Sequence, residues 1–416
     1  MRTLYVSYDG MTDNLGASQV IPYLEGLAGR GHEITLLSCE KPGRWRERGA
    51  AIRAQLERSG IAWEPILYHK RPPVLSTVWD IFRLGRRAAA LHRSRRFEVL
   101  HCRSYIPALI GLRLKRREGL PLIFDMRGFW ADERVDGGIW RLEHPLFRLI
   151  YKYFKRVERE LLRESEKVIS LTESGQDEML RWKLDLPPGA LAEKITVIPC
   201  CVDLDHFDPA RFTPAQVQAR RAELGLGRTE PVVVYLGSLG TWYLLEEMLG
   251  VFAQIQARHP GAIFLLITPD DPAPVHRLAA QSGLDPGCLR VVSAGRAEVP
   301  LLLATAQLGL SLIRPSYSKI SSSATKLGEM LAMGLPVIAN HGVGDQSRLF
   351  ARHPWGHLMH DFSAAEARQA AEKVAGFAGL DRAEIRRSAR HCFALERGVE
   401  RYARVYDSVV EVREKE

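Results

Sequence analysis

The chain has 416 residues, of which 46% are hydrophobic and 26% charged, a composition typical of soluble globular proteins. No apolar run reaches the 18 residues of a membrane-spanning helix, and the six cysteines form no Cys-x-x-Cys pair. The first residues have the pattern of a strand rather than of a signal peptide. We therefore expect a cytoplasmic protein with reduced thiols and no transmembrane helix. The length exceeds the size at which a single core stops growing, which predicts two domains.

The positive charge is confined to the first half of the chain. The formal net charge is +9, and residues 1–200 contain 34 Lys and Arg against 25 Asp and Glu, which leaves 24 of each for residues 201–416. A basic half predicts an anionic partner such as a membrane surface or a lipid diphosphate, with a solubilising surface as the alternative. We expect no nucleic-acid partner.

Short apolar strands alternate with helical patterns along the chain, which predicts parallel α/β sheets. The predicted strands of the first half are 4–7, 33–37, 99–102, 122–124, 168–171 and 195–198. The series restarts with 232–236, 262–267, 289–292, 308–312 and 336–339. Two Rossmann-like domains follow, residues 1–203 and 204–394, with the boundary near the Asp- and Pro-containing stretch 201–214.

In open parallel sheets ligands bind beside the carboxyl ends of the strands, so the loops after strands are candidate sites. Gly16 opens a helix after the first strand, but the spacing is not Gly-x-Gly-x-x-Gly, which disfavours a nicotinamide dehydrogenase. His101 lies near the end of the predicted strand 99–102, and Arg103 directly follows it. The loop after strand 122–124 concentrates acids, arginines and a tryptophan, namely Asp125, Arg127, Trp130, Asp132, Glu133 and Arg134. Its alternative interpretation is a salt-bridged structural loop.

A basic, aromatic helix is predicted from about residue 140 to 167. Its cations and those of residues 83–96 predict attachment to an anionic leaflet, and the alternative is a domain helix with a solvated face. They are Arg83, Arg86, Arg87, Arg93, Arg95, Arg96, Lys152, Lys155, Arg156, Arg159 and Arg163.

In the second half, Gly237 and Gly240 flank Ser238 after strand 232–236, and two glycines permit a close approach of the backbone to a ligand. Residues 319–340 are more informative. Ser322, Ser323 and Thr325 lead into a short helix that ends before Pro336, and the positive end of a helix dipole suits a phosphate or diphosphate.

Lys326 in the first turn opposes the helix dipole by roughly 0.3–1 kcal/mol, which indicates that a bound anion offsets the repulsion. Glu329 follows one turn later and can accept hydrogen bonds from the two hydroxyls of a ribose. A nucleoside diphosphate fits both features. The alternative is an amphipathic core helix in which Lys326 pairs with Glu329.

At this point the chain resembles the retaining glycosyltransferases of family 4, which have the GT-B architecture. The residues that carry the resemblance are Glu329 and the run Met333-Gly334-Leu335-Pro336-Val337-Ile338-Ala339. Ser321 stands where the family usually has a first glutamate that contacts the donor sugar, although a subset with a Thr-Lys-Leu-x-Glu run resembles this chain better. The resemblance implies two Rossmann-like domains whose parallel sheets face each other across a cleft, with a last helix, residues 395–416, that crosses back onto the first domain.

The resemblance also implies roles for the candidate residues. The first domain would bind the acceptor, with Asp125, Arg127, Asp132 and Glu133 orienting or deprotonating its hydroxyl. Trp130 would stack on a sugar, and Arg103 and Arg134 would bind the acceptor. The second domain would bind the donor. Its implied donor-binding residues, with Gly16 of the first domain, are Gly237, Ser238, Gly240, Arg296, Arg314, Ser322, Ser323, Thr325, Lys326 and Glu329.

Asp203-Leu204-Asp205 has the form of a metal-binding Asp-x-Asp, but its setting resembles the interdomain Pro-Asn-Gly-Val-Asp element of family 4. We therefore expect metal-independent chemistry without a cofactor. The resemblance implies a hexosyltransferase-like enzyme that moves a sugar from a UDP- or GDP-linked donor to a carbohydrate or lipid-linked acceptor in polysaccharide or glycolipid synthesis. It would be cytoplasmic, with peripheral attachment to the inner face of the membrane left open. A sugar-nucleotide 2-epimerase and a non-catalytic sugar-nucleotide-binding paralogue are the alternatives.

Overall fold

The computed structural model describes residues 1–227 and 231–415, and the side chains of the last helix as far as residue 409. The chain divides into two compact units, Met1–Pro199 with Leu395–Glu416, and Cys200–Ala394. This division lies close to the predicted boundary at residue 203. It groups the last helix with the first unit.

The first unit contains a seven-stranded parallel sheet. Its strands are β1 (Arg2–Ser7), β2 (Glu33–Glu40), β3 (Ala62–Leu67), β4 (Val99–Arg103), β5 (Leu122–Asp125), β6 (Lys167–Ser170) and β7 (Ile195–Val197). Its helices are α1 (Asn14–Gln19), α2 (Ile21–Ala28), α3 (Pro42–Arg58), α4 (Leu75–Arg95), α5 (Tyr105–Glu118), α6 (Trp130–Asp136), α7 (Pro145–Glu164), α8 (Glu173–Arg181) and α9 (Ala190–Lys194). The sheet order is β3-β2-β1-β4-β5-β6-β7.

The second unit contains a six-stranded parallel sheet. Its strands are β8 (Val232–Leu236), β9 (Ile263–Ile267), β10 (Leu289–Val292), β11 (Leu308–Ser311), β12 (Val337–Asn340) and β13 (Gly356–Met359), in the order β10-β9-β8-β11-β12-β13. Its helices are α10 (Pro214–Glu223), α11 (Leu245–Arg258), α12 (Ala273–Gln281), α13 (Val299–Ala304), α14 (Thr325–Ala332), α15 (Gln346–Arg352), α16 (Ala364–Phe377) and α17 (Arg382–Phe393). Short 3-10 helices span Pro209–Arg211, Pro286–Cys288 and Tyr317–Ser321.

Both sheets have the doubly wound order in which the strand sequence reverses beside the first strand. The reversal lies between β1 and β4 in the first unit and between β8 and β11 in the second. The two faces of β8 illustrate how such a sheet is buried on both sides: Val232, Val234 and Leu236 pack into one core, and Val233 and Tyr235 pack into the other. Ligands of this fold bind at the carboxyl ends of the strands beside the reversal.

The last helix, α18 (Leu395–Lys415), packs on α2 of the first unit. It buries five apolar residues at helical spacing, namely Val399, Tyr402, Val405, Tyr406 and Val409. Gly26 of α2 permits the contact, because a Cβ there would lie 2.5 Å from a methyl group of Val399.

One predicted helix is shorter than expected. The pattern that begins at residue 140 becomes helical only at Pro145, because proline suits the first position of a helix and His144 caps it by accepting from the amide of Leu146. Among the described residues, every helix is too short or too polar to span a bilayer.

Candidate functional site

The start of α14 lies beside the reversal point of the second sheet. The helix buries Leu327, Met330 and Leu331, and it ends before Gly334, whose φ is 71°. No side chain of the described residues caps its first turn. The amides at this end therefore keep the positive partial charge that favours an anion.

Lys326 enters the protein from the first turn of α14 and is buried. Its ammonium donates to the hydroxyl of Tyr235 at 2.9 Å and lies 4.5 Å from the centre of that ring and 3.3 Å from the centre of the Tyr243 ring. Burial lowers the pKa of Lys326 well below its ordinary value, and Glu329 offsets part of that effect. A lysine whose charge is this poorly solvated gains most from an incoming anion.

Gly237, at the end of β8, makes room for this ammonium. Its φ is 125°, and a Cβ at this position would lie 2.7 Å from the Nζ of Lys326. The Tyr235 hydroxyl also donates to the carbonyl of Ser238, so the loop and the lysine share one hydrogen-bonded group. Gly240 is exposed and has open space around its Cα, so packing alone does not require a glycine there.

Glu329 is held one turn further along α14. Its carboxylate forms an ion pair with Arg296 rather than with Lys326, the Nη1 to Oε1 distance being 3.6 Å. Burial raises the pKa of Glu329 to about 7, although Arg296 and Lys326 act in the opposite direction. The Arg296 guanidinium also lies over the Phe207 ring.

The remaining donor candidates lie around the same helix start. The Ser323 hydroxyl accepts from the amide of Cys200 at 3.1 Å, and Ser322 and Thr325 are half-buried beside it. The Arg314 guanidinium lies 5.0 Å from the centre of the Trp242 ring, and the Lys319 ammonium lies 3.7 Å from it.

In the first unit, the ends of β1, β4 and β5 bring a buried polar cluster together. Strand register places Ser7 beside Arg103 and Arg103 beside Asp125. The fully buried carboxylate of Asp125 lies 3.6 Å from His101 Nε2, 3.8 Å from Arg103 Nη1 and 3.9 Å from Arg127 Nη1. Its Oδ2 accepts a hydrogen bond from the hydroxyl of Tyr402 on α18 at 3.1 Å.

The charge state of this cluster follows from its burial. Burial alone would raise the pKa of Asp125, but Arg127, His101 and Arg103 hold it below its usual range. Burial lowers the pKa of His101 and raises that of Tyr402 well above its ordinary value. The cluster therefore consists of a carboxylate, two guanidinium groups, a neutral imidazole and a phenol that donates to the carboxylate.

The loop that follows Asp125 is bent tightly. Arg127 has φ of 55° and Gly128 has φ of 110°, and a non-glycine residue in the left-handed region is an uncommon and strained conformation. The Arg127 side chain keeps 9% of its surface exposed above the buried carboxylate. The Asp125 carboxylate itself has no exposed surface and lies beside this guanidinium.

The other loop residues show mainly structural contacts. Asp132 is buried and accepts from the Tyr151 hydroxyl and from the Lys155 ammonium, both at 2.8 Å, which fits the salt-bridged alternative. Trp130 stacks on Tyr105 with ring centres 5.7 Å apart, and the Arg134 guanidinium lies 5.1 Å from its centre. Glu133 is half-buried in the first turn of α6.

Gly16 is buried in α1, where a Cβ would lie 2.2 Å from the carbonyl oxygen of Gly10. Glycine is therefore required there by the packing of the chain against itself. The Asp203 carboxylate accepts from the amides of Asp205 and His206, which makes the Asp-x-Asp sequence a turn. Within the described ranges, no three His, Cys, Asp or Glu side chains converge where they could hold a metal ion.

Sequence reasoning missed the aromatic partners of the site. Tyr235 and Tyr243 hold Lys326, while Tyr402 and Tyr406 contact Asp125 and His101. Trp242 and Tyr243 follow directly on the Gly237–Gly240 turn in the sequence, and this is the signal that could have pointed to an aromatic partner.

The profile of Glycosyltransferase Family 4 matches residues 18–206, and the resemblance to that family is confirmed. The D-inositol 3-phosphate glycosyltransferase of Segniliparus rotundus is 26% identical over 259 residues, which cover 60% of this chain and 52% of that relative. The chain thus spans about half the length of this curated relative.

Several solved structures share the fold of this chain over nearly its whole length. Sucrose-phosphate synthase from Thermosynechococcus elongatus has a TM-score of 0.75 at 17% identity, with 99% of both chains covered. Anabaena Alr3699/HepE in complex with UDP-glucose has a TM-score of 0.72 at 16% identity, covering 98% of this chain and all of that one. The UDP-GlcNAc 2-epimerase of Neisseria meningitidis shares the fold less closely, with a TM-score of 0.61 at 11% identity over 98% of this chain and 99% of that one. The chain has the GT-B fold of glycosyltransferases.

Proposed function

We propose that this protein is a retaining glycosyltransferase that moves a sugar from a nucleoside diphosphate sugar to an acceptor hydroxyl. The observation that carries the proposal is the pair Lys326 and Glu329 at the start of α14. Both are ionisable groups that burial disfavours in their charged forms, and both lie beside the uncapped amides of a helix start. A diphosphate would add an anionic partner for Lys326, and a ribose would add hydroxyl donors for Glu329.

In this proposal Lys326 and the positive end of α14 bind the diphosphate and stabilise it as it departs, without a metal ion or a cofactor. Glu329 accepts hydrogen bonds from the ribose hydroxyls. Arg296 and Arg314 are the further cations of the donor-binding residues, and Gly237 permits the approach of the phosphates. The UDP-glucose complex of the similar HepE structure supports a uridine-linked donor, and a guanosine-linked one is the alternative.

The first unit binds the acceptor. Arg127 is the group that meets the acceptor hydroxyl, with Asp125 and Arg103 fixing it from below. Glu133, half-buried in the next turn, is the carboxylate we assign to the proton of that hydroxyl. A carbohydrate or lipid-linked acceptor and a setting in polysaccharide or glycolipid synthesis at the inner face of a membrane complete the proposal.

Calorimetric titration with UDP and GDP tests the donor group. One of the two nucleotides is expected to bind the unaltered protein, and Lys326→Met and Glu329→Gln are each expected to weaken it by about 10- to 100-fold. Equal affinity in all three proteins would contradict the assignment. Incubation with UDP-glucose or GDP-mannose and a panel of acceptors, followed by NMR of the anomeric proton, then tests transfer with retention.

The 2-epimerase alternative makes a different prediction. An epimerase needs no acceptor, so free nucleotide and an altered hexose would form from UDP-GlcNAc alone. A non-catalytic paralogue would bind the nucleotide and form neither product. Transfer that depends on the acceptor would exclude both.

A further inference from the structure

Helix α4 has an outward apolar stripe that the fold of its unit does not use. Its inner side buries Leu84, Ala88 and Leu91. Its first two turns expose four large apolar residues at the spacing i, i+3, i+4 and i+7, which places them on one stripe. They are Leu75, Val78, Trp79 and Phe82, with 67%, 58%, 53% and 49% of their surfaces exposed.

The immediate surroundings of this stripe are basic. Residues 68–86 contain four Lys and Arg and a single acid, Asp80, whereas Arg87 and Arg95 further along α4 pair with Glu64. Asp80 is buried and accepts from the amide of His69 at 2.9 Å, so its charge does not reach the surface. Lys70 and Arg71 are exposed just before the helix, and Arg86 is exposed one turn beyond the stripe.

Charge and composition together favour an anionic lipid surface over a second copy of the chain. In a twofold contact the same residues would meet, so the cations beside the two stripes would oppose one another. A bilayer with anionic headgroups instead attracts the cations, and Trp79 and Phe82 suit the boundary between headgroups and acyl chains. The exposed Arg86 guanidinium lies 5.7 Å from the centre of the Phe82 ring, so a cation directly borders the stripe.

The stripe lies at the functional edge of the first sheet. Helices that follow parallel strands begin at the carboxyl ends of those strands. Asp80 of α4 also accepts from the hydroxyl of Tyr8, at 3.4 Å, and Tyr8 directly follows β1. This is the edge at which Asp125 and Arg127 lie.

We infer that the first two turns of α4, residues 75–82, dock the protein on an anionic phospholipid surface, with the apolar stripe in the headgroup region and the flanking cations on the lipid phosphates. The inference rests on the proposed function for one consequence only: an acceptor that reaches Arg127 from this surface is lipid-linked.

Co-sedimentation of the full chain with vesicles tests the docking. Vesicles of phosphatidylcholine with phosphatidylglycerol are expected to bind the protein, and vesicles of phosphatidylcholine alone are not. The double substitution Trp79→Ser with Phe82→Ser, and the single substitution Arg86→Glu, are each expected to reduce binding about tenfold. All three positions are exposed, and circular dichroism verifies that the variants remain folded.

The matched control is Arg93→Glu, which makes the same charge change on an exposed residue at the other end of α4. It is expected to alter binding less than twofold. Equal losses in Arg86→Glu and Arg93→Glu would show diffuse attraction and overturn the docking surface. Absence of vesicle binding, or a dimer that the double substitution dissociates, would also overturn it.

A parallel titration with UDP and GDP separates this inference from the proposed function. Nucleotide affinity is expected to be unchanged in every α4 variant. A protein that binds vesicles through α4 but binds neither nucleotide would refute the proposed function and leave the docking surface standing. A protein that binds one of the nucleotides but does not bind vesicles through α4 would refute the docking surface alone.

Discussion

Glu329 is expected to cost the free protein stability that a bound nucleotide restores. In the unfolded chain its carboxyl has the ordinary pKa of 4.5, and burial raises this to about 7 in the folded protein. The folded state therefore disfavours the charged form. The cost is absent below pH 4.5, grows as the pH rises to 7 and is constant above it. The difference between the two pKa values corresponds to about 3 kcal/mol.

Glu329→Gln keeps the size of the side chain and removes the charge. Arg296 loses its partner, but it is an exposed residue that water can solvate at small cost. We expect the variant to match the unaltered protein in free energy of unfolding at pH 4 and to exceed it by about 3 kcal/mol at pH 8. For a domain of this size that difference raises the melting temperature by roughly 2–4 °C per kcal/mol.

The assay is urea or thermal unfolding of both proteins at the two pH values, with and without UDP. Glu372→Gln is the matched control, because Glu372 also pairs with an arginine, Arg258, but has 61% of its side chain exposed. The control is expected to change stability by less than 1 kcal/mol at either pH. A Glu329→Gln effect that is the same at pH 4 and pH 8 would refute the argument from burial.

Three further substitutions test the remaining contacts. Lys326→Met is expected to maintain or raise the free energy of unfolding at pH 7, since it removes a desolvated ammonium. The same substitution is expected to weaken diphosphate binding and to leave nucleoside binding unchanged, which calorimetry with UDP and with uridine measures. Gly237→Ala is expected to lower the free energy of unfolding by about 1–3 kcal/mol, because alanine would be strained at this φ and its Cβ would displace the Lys326 ammonium. Gly250→Ala is the control, since a Cβ there meets no atom within 4 Å, and it is expected to be neutral or stabilising in urea unfolding. Tyr402→Phe is expected to lower the free energy of unfolding by about 1–3 kcal/mol, because it leaves Asp125 without its phenol donor. It is also expected to lower kcat without changing nucleotide affinity. An unchanged kcat would show that Asp125 does not contribute to turnover.

The sequence determined the class of fold and the central strands. Strands buried on both faces are continuous apolar runs, so β8 has the predicted bounds. Among the edge strands of the two sheets, the prediction found β7 and β10, which are apolar runs apart from Thr196 and Arg290, but missed β3 and β13. Edge strands are partly exposed, and Pro65 and Glu64 in β3 and the short, partly polar β13 do not form such runs.

The sequence also determined that two of the proposed donor-binding residues lie close together. Lys326 and Glu329 share a single helix, so their spacing alone places them together. Their pairing was not determined, because Arg296 reaches Glu329 from before α13 and Tyr235 reaches Lys326 from β8. Contacts between residues so distant in the chain depend on how the sheet stacks its strands.

Tertiary structure decided the character of the acceptor loop. The density of charge after β5 was visible in the sequence, but only the fold divides it into Asp125, which is buried beneath Arg127, and Asp132, which braces α6 against α7. The hydroxyl that holds Asp125 comes from Tyr402, 277 residues along the chain. A sequence pattern records periodicity within one element, whereas the protonation and role of a buried group are set by the partners that other elements bring to it.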